Sequence, residues 1–445
     1  MSNAGDTIYA KASGAGKAGV AVFRVSGVRA RSVLESLAGE QTPPRITCLK
    51  ILRDGHTGHT IDHGLVVLFP KPASYTGEDI VEFHLHGGHA VETALYDALR
   101  ELDCRPAEPG EFTKRALLNG KMDIAQIEGL ADLLDAETTR QHQQATAQYR
   151  GALSDKAAEW REGLIAALAP LEAAIDFPDE EGVPADIAAR AAPAIKNLMS
   201  ALETHAAAAH RASRLREGLS AAIIGAPNAG KSSLLNRLAQ SDRAIVSDTP
   251  GTTRDVLDVR IDLSGVPVTL IDTAGLREHT GDAIEKEGMA RAVKAAENAD
   301  IRILVVDPFA EKNVSRETAA MVTDRDFVIW NKADLGASPN PAPAGAFSLS
   351  AETGVGVEAF LEALGRRVAD LSDPDIDAPL TRERHVQAVH QSLEHLKSAE
   401  ARLATLPELA AEDVRLAARA LGRIAGNVDV EEVLGDIFSS FCIGK

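Results

Sequence analysis

Gly225-Ala226-Pro227-Asn228-Ala229-Gly230-Lys231-Ser232 decides the fold of the middle of this chain. Before it, Ala221-Ala222-Ile223-Ile224 is a short apolar run ending in glycine, the pattern of a buried strand. After it, Ser233-Leu234-Leu235-Asn236-Arg237-Leu238 opens an amphipathic helix. Strand, glycine-rich turn and helix in immediate succession aim backbone N–H groups and the positive helix end at a phosphate. Gly225 and Gly230 let the backbone wrap the phosphates. Lys231 reaches the β- and γ-phosphates, and the Ser232 hydroxyl ligates Mg²⁺. Asn228, Ala229, Gly230, Lys231, Ser232 and Ser233 are therefore the expected phosphate contacts. A chance match in a chain this long is on the order of 1%, before the surrounding strand and helix are demanded.

Three further segments follow in the order such a site needs. Val268-Thr269-Leu270-Ile271-Asp272-Thr273-Ala274-Gly275 reads as a strand ending in an Asp and a Gly. Asp272 suits a water-mediated Mg²⁺ contact. The Gly275 amide, reached through Thr273 and Ala274, suits sensing of a γ-phosphate, so the segment beyond it is expected to switch. In Asn331-Lys332-Ala333-Asp334 the Asp334 carboxylate accepts from guanine N1 and N2 together, a donor pair adenine lacks. Asn331 is placed to tie this loop to the phosphate loop. Ser350-Ala351 follows another strand-like run and suits backbone contact to guanine O6. Four elements in this order over about 130 residues point to GTP and to a Ras-like P-loop α/β GTPase domain.

Many GTPases carry a water-orienting Gln just after the glycine of the second motif. Here Leu276 stands there, and no Gln lies in residues 272–300. Hydrolysis must draw on another group, with Glu278, Asp282, Glu285 and Glu287 as the acidic candidates. Arg254 and Arg277 lie near in sequence but read as solvated charges, not as an arginine finger. Asn228, with loop carbonyls from Ser247-Asp248-Thr249-Pro250-Gly251-Thr252-Thr253, is able to hold a monovalent cation. A cation between the β- and γ-phosphates does the electrostatic work of an arginine finger. Thr253 is the expected Mg²⁺-sensing switch threonine. From residue type alone, a loop-stabilising role for Asn228 is the plainer reading.

Along nearly its whole length the chain resembles the MnmE (TrmE) family of tRNA modification GTPases, among the TrmE-Era-EngA-like Ras-type GTPases. The matching blocks begin with Asp6-Thr7-Ile8, Phe23-Arg24-Val25-Ser26-Gly27, Tyr75-Thr76-Gly77-Glu78-Asp79 and His86-Gly87-Gly88. They continue with Pro109-Gly110-Glu111-Phe112-Thr113, Asp176-Phe177-Pro178, the GTPase motifs and the final Phe441-Cys442-Ile443-Gly444-Lys445. The terminal Cys-Ile-Gly-Lys together with the Gly251-Thr252-Thr253-Arg254-Asp255 switch is highly specific to that family.

The resemblance implies a GTP hydrolase that acts with a flavoprotein partner, MnmG (GidA), which alone carries FAD. Together they convert C5 of the wobble uridine of certain tRNAs to the carboxymethylaminomethyl or aminomethyl form. It implies an N-terminal domain that binds 5-formyl-tetrahydrofolate or a related one-carbon folate and forms a constitutive homodimer. It also implies a heterotetramer or larger complex with the partner, K⁺-dependent pairing of the GTPase domains, and a cytoplasmic site of action. Carried onto this chain, Asn228 becomes the side-chain K⁺ ligand, with Ser247, Thr249 and Thr252 as loop contacts. Ser232 and Thr253 serve Mg²⁺. The water-activating glutamate falls at Glu285, three residues before Gly288. One extra residue within His279-Thr280-Gly281-Asp282, against the family pattern, makes Glu287 its rival. Folate contacts fall on Arg24, Glu82, Lys121 and Lys445. Cys442, fourth from the end, fits a prenylation box poorly because Gly444 and Lys445 follow; a catalytic thiol is the better reading, with a buried structural cysteine an equal one. The fifth motif reads Ser350-Ala351-Glu352 where the family has Ser-Ala-Lys. Arg24 and Lys121 also suit carboxylates on physical grounds, and Glu82 suits the paired N–H donors of a pterin. Without the resemblance each reads as a surface charge.

Composition bounds the rest. A chain of 445 residues holds roughly two to four domains. Hydrophobic residues make up 45%, with no run of 18 apolar residues, so no membrane span is expected. The N-terminus lacks a signal pattern. Cys48, Cys104 and Cys442 show no metal spacing and suit a reducing compartment. A net charge of −18 argues against broad coating of RNA and leaves room for a local basic site. Lys114-Arg115 with Lys121, Arg211 with Arg214 and Arg216, and Arg382 with Arg384 are the basic clusters, read mainly as solvated faces. Periodicity divides the chain into an α+β domain (1–117), a helical stretch (118–215), the GTPase domain (216–372) and a return to helices (373–445). The simplest account is a multidomain α+β and α/β protein whose discontinuous helical domain is interrupted by the inserted GTPase. A reading from another class is a regulatory GTPase switch whose N-terminal domain senses folate or binds a partner, without chemistry on tRNA.

Overall fold

The computed structural model describes residues 5–39, 42–177, 184, 186–245, 258–272, 294–310, 316–336, 342–373, 380–426, 441 and 444. The chain divides into two compact units, residues 1–131 with 421–445, and residues 132–420.

The first unit is built on a six-stranded sheet of β1 (Thr7–Lys11), β2 (Ala18–Ser26), β3 (Cys48–Arg53), β4 (Thr60–Phe69), β5 (Ile80–Gly87) and β6 (Cys104–Pro106). The order is β3-β4-β5-β2-β1-β6, antiparallel except for the β1–β6 pair. Period-2 alternation sends Ala21, Phe23 and Val25 of β2 and Val81, Phe83 and Leu85 of β5 to one face. There they pack against α1 (Ala30–Ala38) through Val33, Leu34 and Leu37, and α2 (His89–Glu101) through Leu95 and Leu99. The same alternation sends Arg24, Glu82 and His84 to the opposite face. Mixed α and β character is what the runs at Val20–Val25, Gly64–Phe69 and Ile80–His86 led one to expect.

α3 (Glu111–Leu118) is locked to this sheet by charge. Arg115 Nη2 bonds Asp6 Oδ1 at 2.6 Å and Glu111 Oε1 at 2.9 Å, while Arg105 bonds Asp6 Oδ2 at 2.6 Å and Glu111 Oε2 at 2.8 Å. Burial pushes the Glu111 carboxyl up, but Arg105, the Glu108 amide and Arg115 outweigh it and hold it at about 2. Asp6 is lowered in the same way, with both arginines outweighing burial. A carboxylate depressed from an ordinary value of 4.5 stabilises the fold fully above that value and loses its contribution as pH falls towards 2. Glu111→Gln should therefore remove on the order of 2 kcal/mol at pH 7 and flatten the acid limb between pH 4.5 and 2. Urea melts of both chains across that range test this; parallel acid limbs would refute it.

After α4 (Ile124–Asp135), the second unit holds α5 (Thr139–Tyr149), α6 (Ala152–Asp176), α7 (Ala192–Glu217) and α11 (Glu383–Arg402), with α7 packed on both α6 and α11. It also holds a sheet of β7 (Leu219–Gly225), β8 (Asp258–Leu263), β9 (Val266–Asp272), β10 (Ile301–Val306), β11 (Phe327–Trp330) and β12 (Phe347–Ser348). The order is β12-β11-β10-β7-β9-β8, and only β8 runs antiparallel. Central strands buried on both faces read as unbroken apolar runs, which is why Ala221, Ala222 and Ile223 are fully buried. α8 (Lys231–Ala239) and α10 (Val357–Ser372) cover one face through Leu234, Leu235, Leu238, Phe360, Leu364 and Val368. The five parallel strands end at one edge, the edge at which open α/β sheets bind ligands. The short α9 (Arg316–Ala320) lies between β10 and β11 in sequence.

The β8–β9 turn is docked on the start of α5. Thr138, which caps α5 in a capping box with Gln141, also donates its hydroxyl to Gly265 O at 2.6 Å. Glu137 pairs with Arg260 at 2.7 Å. Gly265 has φ +82, and a Cβ there would lie 2.6 Å from Arg140 Cγ. The basic clusters of this unit are engaged within it. Arg211 donates to Asp373 O, Arg214 pairs with Asp300, Arg216 donates to Thr381 O, and Arg382 pairs with Asp132. Among the described residues no helix is long and apolar enough to cross a membrane.

Candidate functional site

The phosphate loop sits between the end of β7 and the start of α8, as the strand-glycine-helix reading requires. Asn228 takes φ +62, a left-handed conformation that Asn tolerates better than most residues. Lys231 is 5% exposed and donates from Nζ to Gly225 O at 3.0 Å and Ala226 O at 2.9 Å. Its ammonium rests on loop carbonyls that phosphate oxygens can replace. Ser232 and Ser233 follow on the exposed side of the first turn of α8. Ser232 Oγ donates at 2.7 Å to Oδ2 of Asp272, which is fully buried at the end of β9. A hydroxyl beside a carboxylate is a hard-oxygen pair suited to Mg²⁺.

The base-reading loop is joined to this cradle by one side chain. Asn331 follows β11, is 3% exposed, and donates from Nδ2 to Ala229 O at 2.8 Å. Its Oδ1 accepts from the Ala351 N–H at 3.0 Å. Gly230 lies beneath that amide: its φ is +96 and a Cβ would stand 2.1 Å from Asn331 Nδ2. Ala333 N–H donates to Leu349 O at 3.1 Å, and the buried Ser350 hydroxyl donates to Asp334 Oδ1. The structure thus brings Asn228, Ala229, Gly230, Lys231, Ser232, Asp272, Asn331, Lys332, Ala333, Asp334, Ser350 and Ala351 onto one edge of the sheet. Ser247, Asp248, Thr249, Pro250, Gly251, Thr252, Thr253, Thr273, Ala274, Gly275, Glu285 and Glu287 lie outside the described residues.

Two residues here were not singled out from sequence. Arg237 of α8 donates to the carbonyls of Ala351 and Glu352, clamping the fifth-motif loop from outside. Glu352 contributes its backbone carbonyl to that clamp. Asp307, at the end of β10, pairs with Lys332 Nζ at 2.6 Å. Burial raises the Asp307 carboxyl, but the Lys332 bond and the Phe309 amide outweigh it and hold it below the usual carboxylate range.

A second constellation lies on the open face of the first unit's sheet. Arg24 and Glu82 face each other across β2 and β5, with Arg24 Nε 3.0 Å from Glu82 Oε1. The Arg24 guanidinium carbon lies 5.1 Å from the Tyr75 ring centroid and 5.6 Å from that of Phe112. Lys121 runs its stem past Gly77, two residues from Tyr75; a Cβ on Gly77 would be 3.3 Å from Lys121 Cε. Tyr75 and Phe112 stand inside quoted sequence blocks, but only the fold reveals that they flank Arg24. Cys442 and Lys445 lie outside the described residues, while their neighbour Gly444 rests against the Lys11 carbonyl on β1.

Residues 124–442 match the family model described as MnmE helical domain, and residues 7–121 match that described as GTP-binding protein TrmE N-terminus. A tRNA modification GTPase MnmE of Parvibaculum lavamentivorans is 50% identical over 444 residues, covering 99% of this chain and 100% of the relative. Its counterpart from Caulobacter vibrioides is 49% identical over 450 residues, with 99% and 100% coverage. That from Maricaulis maris is 48% identical over 441 residues, with 99% of each chain covered.

Proposed function

From the premise that this chain belongs to the MnmE family and is a GTPase in tRNA modification, we propose that it works with a flavoprotein partner, MnmG (GidA), on C5 of the wobble uridine. The product is the carboxymethylaminomethyl or aminomethyl form, and the carbon comes from a folate such as 5-formyl-tetrahydrofolate. The observation that carries the nucleotide half is the Asn331 bridge, which ties phosphate cradle, base-reading loop and fifth motif into one site. Lys231 and the loop amides hold the β- and γ-phosphates, and Asp334 reads the guanine edge. Ser232 and Asp272, already in contact, fit Mg²⁺, with Thr253 as the further ligand. Mg²⁺, when bound, neutralises phosphate charge. Asn228, with Ser247, Thr249 and Thr252, is assigned K⁺, and Glu285 (rival Glu287) orients the attacking water.

The folate half is supported by the Arg24–Glu82 pair, whose guanidinium lies near the Tyr75 and Phe112 rings. Glu82 suits the paired donors of the pterin, Arg24 and Lys121 the glutamyl carboxylates of the folate, and the C-terminal Lys445 and Cys442 complete the assignment. Homodimerisation is assigned to this unit. Its edge strand β3 exposes Leu49 (73%) and Ile51, beside Leu65 of β4, an apolar stripe of the kind a second copy covers. The arrangement proposed is an N-terminal domain (1–117) and a helical domain (118–215, 373–445) into which the GTPase domain (216–372) is inserted, acting in the cytoplasm.

The test is nucleoside mass spectrometry of bulk tRNA from cells lacking the protein, complemented with wild type, Asp272→Ala, Arg24→Ala or Cys442→Ser. The modified wobble uridine should vanish and return only with wild type. Unchanged wobble uridine in the deletion would overturn the modification role and leave the regulatory switch. Purified protein should also turn over GTP faster in K⁺ than in Na⁺; equal rates would remove K⁺ from Asn228.

A further inference from the structure

The base-reading loop contains a backbone oddity and a half-buried ion pair that explain each other. Lys332 has φ +63 and ψ +36, a left-handed conformation that L-residues with a Cβ adopt only when something holds them there. Its flanks are fixed: Asn331 N–H donates to Val306 O at 2.9 Å and Ala333 N–H to Leu349 O at 3.1 Å. At the other end of the side chain, Nζ meets Asp307 Oδ2 at 2.6 Å. The carboxylate is itself oriented, because its Oδ1 accepts from the Phe309 N–H at 3.0 Å. Lys332 is therefore held at its backbone and at its tip, in the same loop as Asn331 and Asp334, the two residues assigned to the base site. An unanchored lysine stem samples many rotamers and must be ordered when a ligand arrives. Here the ordering is done beforehand by a side chain from the neighbouring strand.

We propose that Asp307 is a positioning residue for the guanine site, its carboxylate anchoring Lys332 so that the apolar stem is preset as a wall against the purine. The inference rests on the reading of this loop as guanine-binding. Asp307 itself touches no nucleotide; it acts through Lys332. The same anchor withdraws the ammonium from the base edge, leaving Asp334 as the charged group that reads it.

The experiment is an equilibrium titration of the full chain with the fluorescent nucleotide methylanthraniloyl-GDP in Mg²⁺, for wild type, Asp307→Asn, Lys332→Gln and the double variant. Asn is isosteric with Asp and its carbonyl keeps the Phe309 contact, but it lacks the charge. Asp307→Asn should weaken binding about tenfold, mainly through a faster off-rate. The double variant should bind within roughly twofold of Lys332→Gln alone, because the proposed effect of Asp307 passes through that lysine. Asp307→Glu, which keeps the charge, is the second variant and should recover to within about threefold of wild type. Losses that multiply in the double variant, or Asp307→Asn equal to wild type, would overturn the inference while leaving the GTPase assignment intact. A wild-type chain that fails to take up the probe would overturn both.

Discussion

Gly230→Ala should weaken nucleotide binding by at least about 100-fold while the chain remains folded. Two faults coincide at this residue. The backbone sits at φ +96, where a Cβ is strained by roughly 1–2 kcal/mol. The new methyl would also stand 2.1 Å from Asn331 Nδ2, so the amide must leave. Its departure strands the Ala229 carbonyl and the Ala351 N–H, both buried, at about 1–3 kcal/mol each. These costs fall on the loops and not on the sheet, whose core of Ile223, Leu270 and Val305 is untouched. Affinity for methylanthraniloyl-GDP should drop by at least about 100-fold, with the melting temperature lowered by about 5–15 °C and a cooperative transition retained. Binding within tenfold of wild type would show that Asn331 is not the bridge described.

Asp334→Asn should exchange the preferred base. In the parent, the Ser350 hydroxyl donates to Asp334 Oδ1, which leaves the other carboxylate oxygen for the base. In the variant the amide carbonyl keeps the Ser350 bond, so the NH₂ group is turned outward. A donor then faces the guanine donors N1–H and N2–H₂, and the guanine edge is rejected. Xanthine carries a carbonyl at C2 and accepts from that NH₂. GTP turnover (kcat/KM) should fall by roughly 10³-fold and xanthosine triphosphate turnover should rise above it. Steady-state assays with both nucleotides decide this; unchanged GTP preference would mean that the base is read elsewhere.

The nucleotide site was legible because its pieces are local. Each motif is a short run in which strand, turn and cap follow one another, so spacing alone orders them. What escaped is what the fold assembles from distant residues. Asp307 stands 25 residues from Lys332, and Arg237 clamps a loop 115 residues away through backbone carbonyls, which carry no side-chain signature. The flanking of Arg24 by Tyr75 and Phe112 depends on cross-strand register and on where α3 packs. The basic clusters read as solvated faces because charge is visible in sequence and partners are not. Arg211, Arg214, Arg216 and Arg382 instead make hydrogen bonds and ion pairs with residues of their own unit.

The Thr138 hydroxyl that caps α5 and also grips Gly265 has a consequence for how this protein can be recombined. A nucleotide cassette cut at residues 216 and 372 and exchanged for that of a distant relative would arrive with a foreign hairpin tip. The host helix would then offer its hydroxyl, Glu137 and the Arg140 stem to a turn shaped for other partners. The transplantable segment is therefore longer than the motif-bearing one. Residues 137–141 must travel with Arg260 and Gly265, and lineages that trade one should be found to trade the other.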